Sequence, residues 1–252
     1  MHEPLDLEVV RLAQGTIRVL RMHRSSARNA LDTAMLAELV DALQDAADEP
    51  ELRGLLIAGS DGVFSAGADI RESMGDDGRR RMELFTAVYE RLTLFPVPTA
   101  AAVEGPAVGG GAELAAACDL RVAAGSARFR FPGAIYGIPV GAARTIGQVG
   151  LSVAKDWVLS SRDVTAREAE GRGFVQRLVP DGEAEAAALE WLTQVGSREP
   201  ATVALLKRLF NDQSGLRDRV AYENDALRSQ AETGRSPDLG ADLPRTVRPR
   251  RR

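Results

Sequence analysis

The residues best suited to chemistry lie in one stretch, Val108-Gly109-Gly110-Gly111-Ala112-Glu113-Leu114-Ala115-Ala116-Ala117-Cys118-Asp119. Glycine has no Cβ, so a run of three lets a ligand approach the main chain closely. The alanine-rich segment that follows favours helix, and the first turn of a helix leaves N–H groups without partners. Those groups and the helix dipole attract negative charge. Glu113 stands about one turn further on. The pattern therefore predicts a receptor for a developing oxyanion with one proton-transfer group beside it.

Few other residues compete for that role. Cys118 is the only cysteine, so no internal disulfide can form. It reads as a small buried apolar residue, since no histidine is near it in sequence to make a thiolate nucleophile. His2 and His23 are the only histidines, which argues against a zinc site and against a Ser-His-Asp triad. A second glycine turn, Val63-Phe64-Ser65-Ala66-Gly67-Ala68-Asp69-Ile70, also offers main-chain N–H groups after a strand. Neither turn is a phosphate loop or a dinucleotide fingerprint, because GxxxxGK[ST] and a strand-linked GxGxxG are both missing.

The elements that would position these turns follow from periodicity. Leu7 to Ala13 and Thr16 to Met22 alternate around Gln14-Gly15 and read as a hairpin. Asp32 or Thr33 is placed to cap a helix running to about Ala47. Gly54 to Gly59 and Thr99 to Val103 are short apolar runs that suit buried strands, and Leu120 to Ala123 is a third. A helix from about Arg79 to Phe95 ends before Pro96 and Pro98. Strands alternating with helices predict an α/β fold. Beyond Ser152 the chain turns helical, with segments near Ser152–Ser160, Glu183–Val195, Pro200–Asp212 and Leu216–Thr233.

With 252 residues, 44% hydrophobic and 27% charged, the chain can bury a sizeable core. A net charge of −4 gives no global pull toward nucleic acid. The exception is the tail from Pro244 to Arg252, where five of nine residues are arginine. It reads as a solvated terminus, with a phosphate- or partner-binding tail as the alternative. No apolar run predicts a membrane span and MHEPLDLEVV does not read as a secretory leader, so a cytoplasmic protein is expected.

The two glycine turns, in this order, resemble the signature of the enoyl-CoA hydratase/isomerase (crotonase) superfamily. Arg28-Asn29-Ala30-Leu31-Asp32, Cys118-Asp119-Leu120-Arg121-Val122-Ala123, Phe131-Pro132 and Thr165-Ala166-Arg167-Glu168-Ala169 fit as well. The resemblance implies a spiral of repeated ββα units over residues 1–195, a helical oligomerisation region over 196–243 and the basic tail over 244–252. It also implies an acyl-CoA thioester as substrate, with coenzyme A part of that substrate and no other cofactor or metal. The main-chain amides of Ala68 and Gly110 would hold the thioester oxygen as it becomes an enolate. Glu113 would be the acid/base group. Substrate contacts would come from Arg28, Ala30, Ala66, Gly67, Ala68, Asp69, Ile70, Gly110, Gly133 and Tyr136. Assembly as a trimer or a dimer of trimers is implied too.

The departure from the pattern is Gly133, in Phe131-Pro132-Gly133, where hydratases carry a second glutamate. That leaves space opposite Glu113 and three nearby groups to occupy its role: Tyr136, Arg130 and Arg144. Tyr136 could donate a proton or orient a carboxylate, with packing as the competing role. Asp69 and Asp119 read as structural carboxylates. Lys207 lies in a segment the family shows near CoA, but it reads as a surface lysine. The expected activity is hydratase-like. The alternatives are another enolate reaction (isomerisation, decarboxylation or thioester hydrolysis) and a non-catalytic acyl-CoA binder.

Overall fold

The computed structural model describes residues 5–72 and 78–232, and it starts with the expected hairpin. Strands β1 (Asp6–Leu12) and β2 (Gly15–Met22) pair antiparallel, with Leu12 opposite Gly15. Helix α1 (Thr33–Ala47) begins where the capping signal predicts. The Asp32 side chain accepts from the Met35 amide at 2.8 Å.

Three consecutive turns then repeat one plan. Strand β3 (Leu52–Gly59) leads through a parallel bridge at Ser65 to helix α2 (Gly78–Thr93). Strand β4 (Thr99–Val103) leads through β5 (Pro106–Val108) to α3 (Gly110–Ala117). Strand β6 (Leu120–Ala124) leads through β7 (Arg128–Arg130) to α4 (Ala142–Val149). Helix α5 (Leu151–Ser160), strand β8 (Val164–Thr165), helix α6 (Ala166–Gly171) and strand β9 (Arg177–Val179) follow. The main sheet has the order β1-β2-β3-β4-β6-β9 and is parallel from β2 onward; the smaller sheet is β5-β7-β8. This is the anticipated ββα spiral.

The central strands β3 and β4 are buried on both faces, which is why they are unbroken apolar runs. Leu55, Ile57, Ala101 and Val103 point to one side, against Leu36, Leu39, Val88 and Leu114 of α1, α2 and α3. Leu56, Ala58, Ala100 and Ala102 point to the other, against Ala184, Ala188 and Leu192 of helix α7 (Ala184–Gly196). Alanine on β4 lets helices sit close on both faces.

Helices α8 (Pro200–Gln213) and α9 (Leu216–Glu232) end the described chain. Here the packing is partly polar and one expectation changes. The buried stripe of α9 is not wholly apolar, since Glu223 and Asn224 are buried with Val220 and Leu227. Lys207 is not a surface lysine. It is 8% exposed, with Nζ 2.7 Å from Asp119 and donating to the Val97 carbonyl. Asp119 is structural, accepting also from the Thr99 amide and joining α3's end to β4. The basic segment 244–252 lies outside the described residues. Among those residues no helix is long and apolar enough to cross a membrane.

Candidate active site

The two glycine turns meet. Gly67 has φ +88°, and a Cβ there would stand 2.4 Å from the Val108 carbonyl and 3.3 Å from the Gly110 nitrogen. Only glycine lets these loops touch. The loop after β3 is held in place by Asn29, fully buried, which donates to the Ser60 and Val63 carbonyls at 3.0 and 2.7 Å. Ser65 Oγ donates to the Asn29 carbonyl, and the Ala66 amide donates to that of Arg28. The sequence motif around Arg28 thus serves the loop's shape. Asn29 carries the geometry, with a left-handed φ of 54°.

A cleft of about 140 Å³ opens beside this junction. Ala66, Gly67, Ala68 and Ile70 line it from the first loop, Gly109 and Gly110 from the second. Neither the Ala68 amide nor the Gly110 amide donates to any described residue, although Leu31 and Asp69 on either side of Ala68's strand bridge are bonded. Two unpartnered amides on one cleft can hold an oxygen that gains negative charge. Phe85, Met82, Ile138, Val140 and Leu227 make the remaining wall largely apolar.

Other expected contacts divide. Gly133 and Tyr136 both line the cleft. Arg28 is exposed and Ala30 buried, both away from the cleft lining. Asp69 is also off the wall. Its carboxylate accepts from Arg71 and from Arg24, the latter at 2.7 Å, and these cations hold it well below the usual carboxylate range. Arg81, buried in the cleft wall, donates to the Asp69 carbonyl at 2.9 Å and so ties α2 to the loop.

Gly133 does not leave an empty space. A Cβ there would stand 2.6 Å from the Ile138 carbonyl and 3.2 Å from Val140, because the chain turns tightly back. The Ile138 and Tyr136 amides both donate to the Gly133 carbonyl. The missing glutamate is therefore excluded by the backbone that replaces it.

Glu113 is 2% exposed and lies behind the cleft lining. Its Oε2 accepts from Arg144 Nε at 2.9 Å, and Arg144 Nη2 reaches Glu223 Oε1 at 2.6 Å. Glu223 also accepts from the Ala143 amide. Burial pushes the Glu113 carboxyl up to about 7 against the pull of Arg144, and the nearby Glu223 charge adds to the rise. Glu113 Oε1 takes no hydrogen bond from the described residues, so one oxygen is available for a proton or a water. Of the three groups near Gly133, Arg144 makes this contact. Arg130 reaches the cleft edge but donates to the Ser161 carbonyl. The sequence reading missed Glu223 entirely. Its signal was a carboxylate inside a buried helical stripe, which only a partner such as Arg144 makes tolerable.

The carboxyl-terminal motifs around α3 are structural. Arg121 is buried and donates to the Ala115, Cys118 and Phe174 carbonyls, closing the helix end. Burial pushes the Cys118 thiol up to about 12, so it is not a nucleophile near neutrality.

Comparison with known proteins agrees with this architecture. The family model for enoyl-CoA hydratase/isomerase matches residues 13–238. Enoyl-CoA hydratase EchA19 of Mycobacterium tuberculosis is 33% identical over 224 residues, covering 84% of this chain and 83% of its own. The 2,3-dehydroadipyl-CoA hydratase of Escherichia coli is 34% identical, covering 90% and 91%. Among solved structures, an enoyl-CoA hydratase from Mycobacterium avium subsp. paratuberculosis superposes with a TM-score of 0.80 at 26% identity, covering 95% of this chain and 98% of that one. A monofunctional enoyl-CoA isomerase from M. smegmatis gives 0.70 at 29% identity, covering 83% and 93%. The chain belongs to the enoyl-CoA hydratase/isomerase family and is an acyl-CoA-processing enzyme of the crotonase type.

Proposed function

We propose that the reaction is hydration of a conjugated enoyl-CoA thioester through an enolate held by the Ala68 and Gly110 amides. The observation that carries this reading is the pair of amides without acceptors on one cleft. Each such donor contributes about 2.7–4 kcal/mol when aimed at developing charge. Glu113 is the acid/base group. A carboxyl near 7 is populated in both forms at neutral pH, which suits a group that gives and takes a proton. The presence of hydratases among the relatives is consistent with it.

Coenzyme A enters as part of the substrate, and no other cofactor is required by enolate stabilisation. Arg28, exposed beside the first loop, is suited to the CoA phosphates. The protein is read as cytoplasmic and as a trimer or dimer of trimers. Leu205, Leu206, Leu209 and Phe210 give α8 an exposed apolar face that such assembly would cover.

The closed turn at Gly133 favours a second reading, in which the same enolate serves isomerisation, decarboxylation or thioester hydrolysis. Incubation with crotonyl-CoA and longer 2-enoyl thioesters, following loss of the conjugated absorbance, tests the first. Turnover supports hydration. No turnover there, with product from 3-enoyl, malonyl-type or β-keto thioesters, favours the second.

A further inference from the structure

Tyr89 of α2 is used by neither the hydratase reading nor its alternative, yet it forms part of the cleft wall. Its ring is buried, packed against Phe85 with centroids 5.7 Å apart, and the Arg144 guanidinium lies 5.0 Å from its centroid. These neighbours fix where the phenol points. Its oxygen lies 3.1 Å from the position a Cβ on Gly110 would take, so the hydroxyl and the Gly110 amide share one patch of the cleft.

That hydroxyl makes no hydrogen bond with any described residue. Tyrosines that pack a ring in the core normally find a partner for the hydroxyl; here the residue's remaining 4% exposure is on the cleft. Phenylalanine would pack the same space but would offer the cleft no donor. The hydroxyl also stays protonated: burial, and next the Glu113 charge, raise its pKa well above the ordinary phenol value of 10. It is therefore a donor held ready for a guest.

We propose that Tyr89 is a further catalytic residue, its O–H serving as a third hydrogen-bond donor to the thioester oxygen as that oxygen becomes an enolate. The phenol keeps its proton throughout, so no bond is made or broken at Tyr89. The inference rests on the reading of the Ala68 and Gly110 amides as the other two donors. It differs from a packing role in one respect: it depends on the hydroxyl alone.

The full-length protein and its Tyr89→Phe variant should be compared with two probes. Butyryl-CoA binding, measured by calorimetry, reports the acyl-CoA site. Acetoacetyl-CoA, whose enolate absorbs in the near ultraviolet, reports the oxyanion donors. The variant is expected to bind butyryl-CoA as the parent does and to lose the enolate signal at least tenfold. On whichever thioester the parent turns over, kcat should fall about 10²–10³-fold with KM nearly constant. Incorporation of 3,5-difluorotyrosine at position 89, a more acidic phenol of nearly the same shape, should raise the enolate signal. An unchanged enolate signal in both variants, with butyryl-CoA still bound, overturns the role of Tyr89 alone. Failure of the parent to bind either thioester overturns the acyl-CoA reading beneath it.

Discussion

The two walls of the cleft are built on different principles. One is the junction of the glycine turns, where Ala68 and Gly110 offer main-chain amides and no side chain is required. The other runs from Gly133 to Arg144, where a tight turn stands in front of a buried Glu113–Arg144–Glu223 cluster. The first wall is set by backbone shape, so its geometry survives wherever the glycines survive. The second works by charge balance, and each member makes sense only beside the others. Burial raises the Glu113 carboxyl toward neutral pH against the pull of Arg144, and the second buried carboxylate, Glu223, adds to the rise.

Breaking the second wall should have the largest effect. Arg144→Met leaves Glu113 and Glu223 buried without their cation, and should destabilise the fold by about 3–5 kcal/mol in chemical denaturation. A loss under 1 kcal/mol would mean that the cluster is solvated. Gly133→Glu restores the residue type hydratases carry there, but its Cβ meets the Ile138 carbonyl. We expect about 1–3 kcal/mol of destabilisation from the displaced turn and no gain in hydration rate. A faster, equally stable variant would show that the turn is not the obstacle.

The charge balance also has a pH signature. The folded carboxyl of Glu113 lies at about 7, above its ordinary value of 4.5. A raised folded value means that the native state holds the proton more tightly than the unfolded chain. This contribution to stability is full below pH 4.5 and is lost as pH rises through about 7. The melting temperature of the parent should therefore fall over that window relative to Glu113→Gln. Parallel curves for the two proteins would place the titration elsewhere. The smallest effect should come from the first wall. Ala68→Ser changes a side chain while leaving the amide in place, and activity should stay within roughly threefold. A large loss would show that the side chain, not the backbone, faces the ligand.

The same contrast explains what could be read in advance. The hairpin, α1 with its Asp32 cap, β3, β4 and the four late helices all follow from local periodicity and capping, and the structure reproduces them within a few residues. Strands β5, β7, β8 and β9 are two or three residues long, too short for a period to register, and α4 follows a run of glycine and proline. At the site, the two glycine turns were legible because turns after strands have local causes, whereas the choice of the Ala68 and Gly110 amides came from the resemblance to the family. Lys207 looked like a surface residue because nothing near it in sequence reveals Asp119, which reaches it from 88 positions away. Gly133 looked like a vacancy because a missing side chain says nothing about the backbone that fills its place.

By itself, the sequence determined the hairpin, the longer strands and helices, the glycine turns and the identity of the one carboxylate at the head of α3. These depend on residues within a turn or two of each other. Tertiary structure alone decided that Arg144 grips Glu113 from 31 residues away, that Glu223 joins from 79 beyond Arg144, and that Tyr89 turns an unpartnered hydroxyl toward Gly110. The physical reason is that charge pairing, burial and donor placement depend on distance in space, and chain folding brings together groups that carry no local mark of one another.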